Sequence, residues 1–169
     1  MEINHAADQL RYQGQAILAI SEGITEEAAR WKPDVESWSI LEVLNHLVDE
    51  EKLDFRQHLG HILYTPERPW PRIDPQGWAT QKAYNQRNLN QTRQEFRSER
   101  KKSIAWILGL IDPDWEVSIE LSWGALSAGD MLASWLAHDL LHIRQLVELR
   151  YDLTARESQP YSLQYAGEW

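Results

Sequence analysis

The feature that most limits what this chain can fold into is a helical period of apolar residues, repeated in four long segments and punctuated by proline, glycine and capping signals. From Asn4 to about Glu22, the residues Leu10, Ile17, Leu18 and Ile20 sit among small and polar ones, and Gly23 ends the pattern. Thr25 caps a short turn through Ala29, which Pro33 stops. Ser39 followed by Glu42 has the spacing of a capping box, so a second long helix is predicted from there to about Gly60. The stretch "YTPERPWPRIDPQGW" is rich in proline and reads as a loop. A third helix is expected over roughly Thr80 to Leu110, with Asp112-Pro113 terminating it. "WEVSIELSW" alternates and suits one short extended segment or hairpin as a connector. Ser127 and Asp130 make another capping-box-like start, for a last helix from about Gly129 to Arg150. The tail "PYSLQYAGEW" alternates Tyr161, Leu163 and Tyr165, which predicts an extended strand packed along the body. Four long amphipathic helices with short or proline-marked connections specify an all-α, antiparallel four-helix bundle. Neither an internal repeat nor a dividing linker interrupts it. The expectation is one domain over 1–169, with its core at about 4–151 and a tail at 152–169.

Charge narrows the partners. The formal net charge is −9, and an acidic surface repels phosphate backbones and anionic lipid, so neither nucleic acid nor a membrane surface is an expected partner. The N-terminus has neither the basic start nor the apolar core of a signal peptide, and a cytoplasmic location is expected by default. The chain has no cysteine, which excludes disulfides, thiolate zinc sites and cysteine nucleophiles. Any metal site must therefore use His, Asp or Glu. Nine tryptophans are many for this length and suggest a well-filled core with an aromatic-lined cleft.

The segment "SWLAHDLLHIRQL" carries the chemistry. His138 and His142, four residues apart, share one helical face with Met131, Trp135, Gln145 and Leu149. At this spacing two imidazoles either chelate one ion or sit in a core with their nitrogens satisfied, and both readings stand on the pair alone. Two ligands are too few for a site. The candidate third is His46 in "LEVLNHLVDEE", on the flank of its own helix beside Val43, Glu50 and Leu53. "HDLLH" also resembles the zinc-protease motif with Asp in place of Glu. The shorter carboxylate sits too far back for that chemistry, and only Glu157 and Glu168 follow as poor third ligands.

"WSILEVLNHLVDEE", followed ninety-two residues after its histidine by "HDLLHIRQL", resembles the DinB-like (DinB/YfiT) superfamily of metal-binding four-helix bundles. The approach "EEAARWKPDVESWS" and the segment "LSAGDMLASWLAHDLLHIRQLVELR" add to the likeness, which spans Leu10 to about Tyr151. The resemblance implies a three-histidine site made of His46, His138 and His142, holding one divalent ion per chain: zinc, nickel, iron or manganese. It also implies metal-dependent transfer of a low-molecular-weight thiol such as bacillithiol or mycothiol, or a thiol-dependent isomerisation. The alternatives are a hydrolase-like activity and a non-catalytic, stress-related bundle that binds metal or a small molecule. Glu50 and Asp139 are the carboxylates near enough in sequence to orient an imidazole or act as a general base, against the simpler reading of surface groups. Trp38, Trp123 and Trp135 are the aromatic candidates for a substrate pocket. His58 and His61, beside Gly60 and the proline loop, read as solvated surface residues. Extra aromatics and an apolar tail suggest a homodimer.

Overall fold

The computed structural model describes residues 1–167. Its long helices are α1 (Ile3–Ser21), a composite of α3 (Ile40–Asp49) and α4 (Phe55–Tyr64), α6 (Leu89–Leu108) and α7 (Ala128–Glu157), with short helices α2 (Glu26–Arg30) and α5 (Pro75–Gln81) in the connections. A two-stranded antiparallel hairpin, β1 (Ser118–Leu121) and β2 (Gly124–Ser127), precedes α7. Among the described residues no helix is long and apolar enough to cross a membrane.

Helix starts follow their capping chemistry. Thr25 accepts from the Ala28 amide, and both capping boxes close reciprocally, Ser39 with Glu42 and Ser127 with Asp130. The third long helix begins at Leu89 rather than near Thr80, because Asn88 caps it by accepting from the Gln91 amide. Just upstream, Ala83 lies in the left-handed region at φ 49°, which a continuous helix does not allow. The second long helix is not uniform either. Glu50–Asp54 forms a π turn between α3 and α4 and closes at Asp54, whose φ −120° and ψ −96° leave the helical region. The last helix passes Arg150 by two turns, since Leu153 is buried and no helix breaker intervenes before Ser158. The tail beyond it turns rather than extends: Gln164–Ala166 is a 3₁₀ turn, and Tyr161 and Tyr165 lie exposed. Glu168 and Trp169, the end of the expected strand, lie outside the described residues.

The core divides into two apolar clusters. One joins Ala6 and Leu10 with Phe55, Leu59, Ile107, Leu132 and Trp135; the other joins Ile17 with Leu41, Leu44, Leu47, Phe96, Leu146 and Leu149. The order in which each helix visits them gives its direction. α1 and α7 run from the first cluster to the second, whereas α3–α4 and α6 run the opposite way. Consequently the 65–88 connection must travel back along the bundle between two parallel neighbours. Where the four helices cross between the clusters they carry buried polar groups: Gln13 on α1, Glu50 and Glu51 on the π turn, Arg100 on α6, and Asp139 on α7.

Candidate metal centre

His46 comes from α3, every residue of which is buried, so the sequence's flank position becomes an interior one. His138 and His142 come from successive turns of α7. The three rings meet through their Nε2 atoms: His46 lies 3.4 Å from His138, and His142 lies 3.1 Å from His138. One ligand nitrogen from each ring falls within 4.8 Å of the others.

Hydrogen bonding among the rings cannot account for this meeting. His142 Nδ1 lies 2.8 Å from Gln145 Oε1 and donates to it, which leaves the neutral ring's Nε2 as a lone pair. His138 Nε2 then carries a hydrogen if it bonds His142, and has no lone pair left for His46. The Nδ1 atoms of His46 and His138 are buried with no hydrogen-bond partner. All three rings are held neutral. Burial, then the neighbouring His142 and His138, push His46 down to about 2. Burial and then His142 push His138 down to about 3. Burial lowers His142 as well, against the opposing pull of Gln145. Three neutral imidazole lone pairs facing one point suit a divalent transition ion, and three protein ligands leave room for a further one.

The carboxylates behave differently from the sequence reading. Glu50 Oε1 is 3.6 Å from His46 Nδ1, outside hydrogen-bond distance. Burial, followed by Asp54, Asp49 and Glu51, pushes its carboxyl up to about 9, so it holds a proton at neutral pH and is ill suited as a general base. Asp139 is not a partner of the histidines at all. It receives a bidentate pair of bonds from Arg100, at 2.6 and 2.9 Å. Arg100 also binds Glu51 at 2.9 Å and the Leu10 carbonyl at 2.8 Å, and Trp135 Nε1 donates to the same Glu51 oxygen.

Of the three tryptophans expected at a pocket, Trp38 alone is there. Its ring stands edge-on to His46 with centroids 5.0 Å apart, and it lines the cleft over His142. Trp135 is a core residue, 1% exposed and stacked on Phe55, because the rest of its helix face is packed against the first cluster. Trp123 occupies the hairpin turn and is 69% exposed.

His58 and His61 are buried, not solvated. His58 is fully enclosed: Nδ1 faces Asp54 Oδ1 at 2.7 Å, Nε2 faces the Pro71 carbonyl at 2.9 Å, and Trp70 stacks on the ring at 4.1 Å. Both contacts are with acceptors, so both nitrogens donate and the ring is an imidazolium. Burial opposes that charge, but the bonds to Asp54 and Pro71 overcome it and raise the ring's pKa. The neighbours come from a proline-rich loop, which a helical wheel cannot place. Gln145 was visible as a member of the His stripe, but its bond to His142 was not.

Comparison with known proteins supports this architecture. The sequence profile of the DinB superfamily matches residues 9–146. The fold superposes on YfiT from Bacillus subtilis with a TM-score of 0.77, over 90% of this chain and 87% of that one, at 14% identity. That protein is described as a probable metal-dependent hydrolase with an unusual four-helix bundle topology. A comparison with curated proteins gives no match.

Proposed function

The chain belongs to the DinB superfamily, and from that premise we propose that His46, His138 and His142 hold one divalent metal ion in an enzyme that activates a small thiol for transfer or isomerisation. The observation carrying this reading is the convergence of three neutral rings through their Nε2 atoms, whose two contacts cannot both be hydrogen bonds. An ion held there supplies a Lewis acid that lowers the pKa of a thiol or water reaching it. The protein's own contributions are positional. Gln145 fixes the tautomer and plane of His142, keeping its Nε2 lone pair inward. Trp38 and Phe55 pack against His46 and His138, which limits ring rotation and excludes water from that side. The open side faces the cleft bordered by Trp38 and Gln76, where a substrate's reacting group enters.

A second reading is a metal-binding bundle without turnover. It is favoured by one observation: the two carboxylates the sequence offered for proton transfer are committed elsewhere, Glu50 to its proton and Asp139 to Arg100. The first experiment is elemental analysis of protein purified without a histidine tag, alongside His142→Ala. The expected result is about one ion per chain in the wild type, as a three-histidine site requires, and loss of that ion in the variant. Thiol transfer to a panel of electrophiles should disappear with it. Activity that persists after metal removal would overturn the enzymatic reading, and no turnover by metal-loaded protein would favour the second.

A further inference from the structure

The connection from α4 to α6 is hydrogen-bonded to the bundle at its two ends and at one point between. At one end the Thr65 amide donates to the His61 carbonyl, and at the other Lys82 and Tyr84 bind Asp49. From Pro66 to Gln81, among the described residues, a single hydrogen bond crosses to the bundle: His58 Nε2 to the Pro71 carbonyl at 2.9 Å. The other bonds of this stretch are local, such as the Asp74 cap on Gly77 and the Arg68 amide on Thr65. The rest of its attachment is packing, by Trp70 on the first apolar cluster and by the buried Ala79 of α5.

That one bond lies two residues from the candidate site. Ile73, Asp74, Pro75 and Gln76 form one wall of a hollow of about 500 Å3, and Trp38, His46 and His142 form the other. A strap freed at Pro71 widens the approach to the histidines.

The bond depends on a proton. His58 is fully buried, and the groups facing it are Asp54 from the π turn and the Pro71 carbonyl and Trp70 ring from the strap. His61, one turn on, meets the same indole edge-on at 5.5 Å. α7 also packs on α4 but gives His58 neither a hydrogen bond nor an ion pair. A neutral ring has one N–H for two acceptors. The Asp54 carboxylate, the stronger acceptor at 2.7 Å, keeps that hydrogen on Nδ1. Nε2 then turns a lone pair toward the Pro71 oxygen, and attraction becomes repulsion. The Trp70 face, favourable to a cation, loses its charged partner in the same event.

We propose that His58 is a proton-operated clasp on the strap over the candidate metal site, shut when the ring is charged and released when it is neutral. Burial works against the charged ring, but the bonds to Asp54 and Pro71 outweigh it, so release comes above the ordinary histidine value of 6.5. The inference rests on the metal-site reading only for what the strap closes off.

The chain has no cysteine, so two introduced ones are unique labelling sites. Arg72→Cys on the strap and Ala105→Cys on α6, both at exposed positions, carry spin labels whose separation is read by pulsed electron paramagnetic resonance. One narrow distance is expected at about pH 6, and a second, broader population by about pH 9, a range that brackets a raised histidine. His58→Gln in the same background should give the broad population at both. A narrow distance that persists through the whole pH series overturns the inference, and the unaltered His58 chain decides this even if the variant does not fold. An equal response to pH in a folded His58→Gln also overturns it. Access is read from zinc uptake by the full chain after chelation, as the rate in His58→Gln divided by that with His58 intact, which cancels the effect of pH on zinc itself. The ratio should be about tenfold at about pH 6, the scale of one hydrogen bond from a charged donor, and approach one at about pH 9. A ratio of one throughout overturns the gating and leaves the metal reading intact. A strap that responds to pH in a chain that takes up no zinc refutes the metal reading and leaves the clasp standing.

Discussion

His58 has no neutral form that satisfies both of its contacts, because Asp54 and the Pro71 carbonyl each require a donor. Its raised pKa makes stability depend on pH with a definite sign. Below the ordinary histidine value of about 6.5 the ring is charged in folded and unfolded chains alike, and the full stabilisation is present. As pH rises through the higher folded value the proton leaves and that stabilisation is lost. Urea midpoints measured from about pH 6 to about pH 9 should therefore show the wild type's advantage over His58→Gln shrinking as pH rises, since Glu50 and the three neutral histidines contribute alike to both chains. An equal slope in the variant would show that another group carries it. The contrast with His46, His138 and His142 explains what a sequence can show at this scale. Those three stand at helical spacings that one period projects onto one point, and the family pattern pairs the two helices. The partners of His58 come from another segment altogether, with no period to betray them.

At the scale of elements, capping residues made the starts of α2, α3 and α7 legible, because each signal is local: a capping hydroxyl, joined in α3 and α7 by a carboxylate three residues on. Ser39 does more than cap. Its hydroxyl accepts from the Glu42 amide and donates to Asn85 Oδ1, tying the start of the helix that carries His46 to the end of the 65–88 connection. Ser39→Ala should cost about 1 kcal/mol by chemical denaturation, the usual loss for an N-cap, and more if the half-buried Asn85 contact fails with it. The π turn had no such signal. "EEKLD" is ordinary helical sequence, and the extra residue in that turn follows from where Glu50 and Glu51 must point once α6 and α7 are in place. The split of the third helix was similarly hidden, since Ala83 is a good helix former that tertiary packing holds in a left-handed conformation.

Across the whole molecule, the four-helix architecture was readable because apolar periods alone require it, but the parallel pairing of α3–α4 with α6 was not. Helix direction depends on the path of the long connection. That path runs over the candidate site, giving Pro71 to His58, bringing Ile73, Asp74 and Gln76 beside His46 and His142, and ending with Lys82 and Tyr84 on Asp49. Between the two apolar clusters Arg100 binds groups from three other elements: the Leu10 carbonyl of α1, Glu51 of the π turn and Asp139 of α7. Arg100→Met would leave two buried carboxylates unpaired, and unfolding measurements should show a loss of about 3–5 kcal/mol. A triple replacement of all three charged groups by apolar residues should be far milder, since the cost lies in stranding charge and not in losing attraction. This network has a further consequence. Apolar faces alone tolerate displacement by a helical turn, about 5.4 Å, because leucine meets leucine nearly as well one step along. A guanidinium that must meet two carboxylates does not. The buried charges thus act as a registration mark that stops the helices from sliding past one another, and the three histidines converge at one point because that alignment is kept.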